Sequence, residues 1–399
     1  MNKFRTLAAL TGAIVMSASA AFGQTFDSDL KLMGKHFSPL VLKRQEQRVA
    51  VMGELQGRVM VTSLSGEAGQ SIGWINRDYL REGQLTPNRP MGGADRLSFG
   101  PETGEYSLLF KPGVERVSDN ISYPSAMTTQ AYPLVSHNDT QAVFKRSFSL
   151  TNYSNTTFDI EVTRTIELLD NSHINGLFQV ELPNKVQSVG FSVRSELTNS
   201  ADTPWQKATG LLSLWHLTAL EPGDNNTVVM PLKGQLDEMV EYFSPNLSSH
   251  SQIIGQHGFY NADGKYMNKI GIPPQNTQPI MGAWDAEREL LTLVHFSFTP
   301  VQGVYVNSVW TSKPDPYDGD VINVFNDGIV DGFGPFGPFY ELESSSHTRE
   351  LAPGESLQHT QTTVHLQGPR ESLDTIARQV LGVSLDNIEQ VFNNTGATP

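Results

Sequence analysis

From Phe26 the chain sets apolar residues at helical spacing. Phe26, Leu30, Met33 and Phe37 recur four, three and four positions apart, which places them on one face and predicts a short helix over residues 24–36. Beyond it the period falls to two. In FDIEVTRTI, Phe158, Ile160, Val162 and Ile166 take one side and Asp159, Glu161, Thr163 and Thr165 the other, while Arg164 interrupts the apolar side. FKRSFSL precedes this run across the turn-rich TNYSNT, so the two read as a hairpin. Further strands are expected in GRVMVTSLSG, YSLLFKPG, LLTLVHFSF, GVYVNSVW and SLQHTQTTVHL. Past Pro369 the spacing turns helical again. Leu373, Ile376, Ala377 and Val380 share a face, and Ser384 caps a further turn with Leu385, Ile388 and Val391.

There is no fixed-period repeat and no low-complexity linker. KPDPYDGD and DGIVDGFGPFGP read as long loops between strands. The expected fold class is all-β: one large antiparallel sandwich with short helices at both ends. The expected divisions are an N-terminal helical arm at 24–40, a β body at 41–368 and a C-terminal helical tail at 369–399.

Residues 1–23 have a different character. Lys3 and Arg5 precede an apolar run from Leu7 to Met16, and Ala21-Phe22-Gly23 fits a cleavage site, so a signal peptide and a periplasmic or secreted protein are expected. The run is too short to span a bilayer comfortably, and no membrane insertion is expected. The chain has no cysteine, which removes disulfides, thiol chemistry and a lipid anchor at the cleavage site. Its net charge of −14 repels nucleic acid and anionic membrane. Composition fixes no oligomeric state.

Several motif classes drop out. The ten histidines show no H-E-x-x-H spacing, and no G-x-S-x-G elbow is present. GFGPFG, Gly332 to Gly337, has the letters of a dinucleotide fingerprint, but Pro335 and Pro338 and the strand that follows leave no helix to receive a phosphate. No cofactor and no metal are expected. Calcium is the alternative for the acid-rich Trp310–Asp327 segment, whose spacing does not fit an EF-hand.

Three stretches carry candidate chemistry. In GGADRLSFGPETGEYSLLF, Gly92-Gly93 permits a bend that aims Asp95 and Arg96, with Glu102 following. The guanidinium suits hydroxyls or a carboxylate; the alternative is a local ion pair bracing a turn. In FGPFGPFYELESSSH, Glu341 and Glu343 are two apart on a strand and share a face, where mutual repulsion and burial would raise one of their pKa values. Tyr340 supplies an aromatic wall. In NSVWTSKPDPYDGDVINVFNDG, Trp310 with Asn326 and Asp327 matches the stacking and hydroxyl pairing a sugar ring needs. In GFYNADGKYMNKIGIPP, Lys265 and Lys269 have the charge to meet an anionic sugar; the alternative is a solvated hairpin.

Taken together, GRVMVTSLSGEAGQSIGWIN with GGADRLSFGPETGEYSLLF, FSLTNYSNTTFDIEVTRTI, and FYELESSSHTRELAPGESLQHTQTTVHL resemble the galactose mutarotase-like (aldose-1-epimerase-like) superfamily, and within it a branch of exported bacterial proteins. The resemblance runs from about Val41 to Gly368. It implies a β-supersandwich and a carbohydrate ligand. In the epimerases of this superfamily a late-strand glutamate is the base at the anomeric hydroxyl and a histidine protonates the ring oxygen. Glu343, ahead of the later Pro-Gly-Glu, resembles that base, and Glu341 is the alternative. The histidine before the paired glycines is replaced here by Met91, and Asp95 and Arg96 resemble relatives in which an arginine after the glycines binds substrate. The resemblance leaves three activities open: an epimerase-like isomerase, a non-catalytic glycan-binding module and a polysaccharide lyase.

Overall fold

The computed structural model describes residues 24–309, 315–330 and 334–393. Residues 1–23, which hold the expected signal peptide, lie outside them. Helix α1 (Phe26–Met33) begins at a capping box made by Thr25 and Ser28, and it buries Phe26 and Met33. An antiparallel three-stranded sheet follows, in the order β1 (Leu40–Arg44), β2 (Gln47–Met52), β3 (Arg58–Ser63).

Two larger antiparallel sheets form the body. The ten-stranded sheet starts with β12 (Ser251–Ile254), β13 (His257–Asn261), β10 (Asn226–Pro231), β15 (Ile280–Asp285) and β16 (Leu290–Phe296). It continues with β19 (Ser356–Gln367), β8 (Gln187–Asn199), β7 (Thr157–Leu168), β6 (Gln141–Thr151) and β5 (Leu134–His137). The six-stranded sheet runs β11 (Val240–Glu241), β14 (Asn268–Ile272), β17 (Ile322–Asn326), β18 (Tyr340–Ser345), β9 (Ser213–Leu220), β4 (Arg96–Gly100). The fold class is thus all-β. Helices α2 (Arg370–Val380) and α3 (Leu385–Asn393) close the chain, with Ser384 accepting from the Asn387 amide. Among the described residues no helix is long and apolar enough to cross a membrane.

The β6–β7 hairpin forms as its alternation predicts. Two expected strands do not. Tyr106–Gly113 is a run of bends and turns in which Leu108, Leu109 and Phe110 are all buried; its amides pair with nearby loop carbonyls (Leu108 N with Pro101 O at 3.0 Å) rather than with a ladder. Three consecutive buried residues cannot belong to one strand covered on a single face. The GVYVNSV stretch makes one isolated bridge, Tyr305 to Asp318, and no ladder.

Gly92 and Gly93 are a crossing point. Both have positive φ, at 75° and 122°. A Cβ on Gly92 would lie 2.2 Å from the Trp74 carbonyl oxygen, and one on Gly93 2.8 Å from Arg58 Cδ. The bare backbone lets the Gly93 amide reach the Trp74 carbonyl at 2.8 Å and the Gly92 carbonyl accept from Arg58 Nη1 at 2.8 Å. Val59 and Asp95 then exchange both backbone hydrogen bonds, which seats β3 beside β4.

Between the sheets the core is not wholly apolar. Asp95 and Arg164 are each 0% exposed and form an ion pair. Asp95 also accepts from His216 Nδ1 at 2.9 Å, and His216 Nε2 meets the Ser195 hydroxyl at 2.9 Å. Arg164 is the residue that broke the apolar side of its strand, and its slot is filled by a charge because a carboxylate waits opposite. Burial depresses its pKa and Asp95 opposes the shift. Removing one member strands the other in the interior. Arg164→Ala and Asp95→Ala are each expected to cost about 3–5 kcal/mol in denaturant unfolding, and the double variant clearly less than their sum.

Candidate active site

The outer face of the six-stranded sheet carries the chemistry. Register sets two rows across it. One row reads Arg96, Leu217, Glu343, Asn323; the next reads Ala219, Glu341, Phe325, Lys269. The charged side chains meet along the diagonals. Arg96 Nε donates to Glu341 Oε1 at 3.1 Å and its Nη2 to Oε2 at 3.4 Å, joining residues 245 apart in sequence. Lys269 Nζ lies 2.9 Å from Glu343 Oε2 and 3.5 Å from Glu102 Oε2. Trp215 stands between the two pairs. Its indole N–H donates to Glu343 Oε2 at 2.9 Å, and Lys269 Nζ sits 4.3 Å from its ring centroid.

Burial sets the electrostatics. Glu343 is 1% exposed, and burial pushes its carboxyl up to about 7 against the pull of Lys269, with Glu341 and Glu102 adding to the rise. Burial acts to lower the Lys269 pKa, but Glu343 and then Glu102 outweigh it and the ammonium is held above its ordinary value. Arg96 follows the same logic: burial pulls down, Glu341 and Glu343 pull up harder. Tyr123, in the loop after Glu102, is raised by burial and by Glu102 while Arg96 opposes. A cavity of about 10 Å³ beside Lys269, Trp215 and Tyr242 has room for roughly one water.

The structure brings together Arg96, Glu102, Lys269, Glu341 and Glu343 of the residues singled out from sequence. It separates the other described ones. Asp95 points into the core and cannot line this face, because neighbours on a strand face opposite ways. Tyr340 precedes Glu341 and for the same reason lies on the inner face, so it is not a wall of the site. Asn326 is fully buried, its side chain bonded to the Gly264 amide, Asp263 and the Tyr266 carbonyl. Asp327 accepts from the Phe336 and Gly337 amides and braces the loop before β18; burial raises its carboxyl to about 6 against those bonds. Trp310 lies outside the described residues. Trp215 and Tyr123 escaped the sequence reading. Trp215 sits in LLSLWHLTAL, where an apolar run without alternation hides which face is which, and Tyr123 sits in a loop without periodicity. Lys265 is exposed and paired with Asp224 at 2.7 Å, away from the cluster. Among the described residues no group of three or more metal-ligating side chains occurs.

A family model, described as a family of unknown function (DUF6786), matches residues 24–392. The chain belongs to this family. No curated protein matches the DUF6786 chain by sequence. Among solved structures it is similar to a galactose mutarotase-like protein from Lactobacillus casei, with 10% identity over 83% of this chain and 100% of that one, at a TM-score of 0.48. The Slr1438 protein from Synechocystis gives 12% identity, 83% and 96% coverage and a TM-score of 0.47. A galactose mutarotase related enzyme from Lactobacillus acidophilus gives 8%, 82% and 97%, and 0.43.

The raised carboxyl of Glu343 has a stability signature. A carboxyl whose folded pKa lies above its unfolded value binds a proton preferentially in the folded state, so its contribution is full below the ordinary carboxylate range and is lost as pH rises through about 7. The stability difference between wild type and Glu343→Gln is expected to shift toward the wild type as pH falls from 7.5 to roughly 4.5 and to level off below that. Denaturant midpoints across this range check it.

Proposed function

We propose that the protein binds a neutral sugar or oligosaccharide on the outer face of the six-stranded sheet, with Glu343 as the group that carries a proton. The observation that carries the reading is the double diagonal, Arg96 with Glu341 and Lys269 with Glu343, around Trp215. Two cations meet three carboxylates there, counting Glu102. Such a cluster offers donors and acceptors in near balance, which suits hydroxyl groups that do both. An anionic sugar would have to displace a carboxylate from Arg96 or Lys269 and face the others. That weighs against a lyase acting on uronates. A carboxyl with a pKa near 7 is matched to proton transfer at neutral pH, as anomeric exchange requires. Export, which the N-terminal pattern suggests, would place this activity in the periplasm or outside the cell, where polysaccharide breakdown releases such sugars.

One observation favours a second reading, sugar binding without turnover. Glu343 is held by both Lys269 and Trp215, and the histidine on neighbouring β9, His216, points into the core toward Asp95. Anomer exchange followed by NMR, together with a sugar-binding titration, separates the two. Under the first reading Glu343→Gln lowers exchange by about 10²–10⁴-fold and leaves affinity within a few-fold. Under the second, wild type shows no exchange and Glu341→Gln or Arg96→Ala weakens binding. A protein that neither binds neutral sugars nor exchanges their anomers refutes both.

A further inference from the structure

A second cavity, of about 390 Å³, lies away from the glutamate cluster. Its walls come from both layers: Leu220 and Tyr340 from the six-stranded sheet, and Ala283, Leu290 and Thr292 from the ten-stranded sheet. Gln24 and the segment around Trp74 and Arg77 lie along its rim. It is separate from the glutamate cluster. Tyr340 faces this cavity and Glu341 faces the cluster, so β18 is the partition between them.

Charge lines the opening in pairs. Asp29 holds Arg77 by two bonds, Nε to Oδ1 at 2.8 Å and Nη2 to Oδ2 at 2.9 Å, and Arg77 Nη1 reaches Glu221 Oε1 at 3.2 Å. Arg288 is paired with Asp285. Glu221 Oε2 takes no donor among the described residues, and burial raises this carboxyl against the pull of Arg77. The cations are matched by carboxylates, Glu221 offers an unspent acceptor, and Leu220, Ala283 and Leu290 give an apolar interior. The size falls in the roughly 300–1,000 Å³ range of small-ligand sites.

We propose that this cavity is a second sugar-binding site, taking one or two neutral sugar rings with hydroxyls directed to Glu221 and the apolar ring face turned to Leu220 and Leu290. The ligand class rests on the proposed function of the first site; the location does not.

Hydrogen–deuterium exchange on the mature chain, with glucose, galactose, mannose and their β-1,4-linked trimers as probes, tests it. Protection is expected at residues 70–77 and 220–222 in addition to 96–102 and 340–345. Glu221→Gln should weaken binding at the first pair of segments roughly tenfold, the loss of a charge-assisted hydrogen bond, and leave protection at 96–102 intact. Ala283→Leu, which fills the cavity, should abolish protection at 70–77 and 220–222, with an unchanged melting profile showing that the fold survives. Protection confined to 96–102 and 340–345 overturns the second site and leaves the first reading standing. Protection confined to 70–77 and 220–222 supports the second site and removes the first. No protection by any probe overturns both.

Discussion

A strand turns successive side chains to opposite faces, and at Asp95-Arg96 this places two charges in different worlds. Asp95 goes inward to Arg164 and His216; Arg96 goes outward to Glu341. The buried pair cannot be satisfied unless β7 of the ten-stranded sheet stands opposite β4 of the six-stranded one. Desolvating an unpaired carboxylate or guanidinium would cost several kcal/mol, so the pair works as a registration pin between layers more than as a source of net stability. With the layers so pinned, Arg96 has one direction left to reach, and the late-strand glutamates lie in it. Gly92 and Gly93 serve the same end, because any side chain there would push β3 and the Trp74 segment away from the start of β4.

Much of the architecture was legible in the alternation of single strands. The β6–β7 hairpin and the terminal helices follow their hydrophobic periods, and β16 and β19 form where apolar runs led strands to be expected. The site was legible only halfway. That Glu341 and Glu343 share a face follows from their spacing alone. That Asp95 and Arg96 do not follows from the same rule, yet the glycine bend before them suggested a loop, where alternation does not hold. Arg164 was visible as an interruption, but its partner lies 69 positions away and no local pattern names it. Tyr106–Gly113 failed as a strand because its apolar residues are buried by the loop's path over the sheet, and a short apolar run reads alike in either case.

The cluster on the outer face also shows how a buried carboxyl is tuned by opposing influences. Glu343 has an ammonium at 2.9 Å and an indole donor at 2.9 Å, both of which favour its charged form. Burial and two neighbouring carboxylates favour the neutral one and prevail. Lys269 is therefore a moderator of Glu343 as well as its partner. Arg58, on β3 beside the glycine pair, shows the cost of packing cations closely: burial and then Arg96 and Arg164 bring its pKa down to about 9.

The near-balance of charge in the glutamate cluster has a kinetic side. The chain as a whole carries −14, yet the carboxylates of the cluster are met by Arg96 and Lys269 within a few ångströms, so little of their field extends past a Debye length of about 8 Å. An uncharged ligand feels no steering from the remaining surface charge either. The encounter rate of such a ligand would be set by unguided diffusion and would change little with ionic strength.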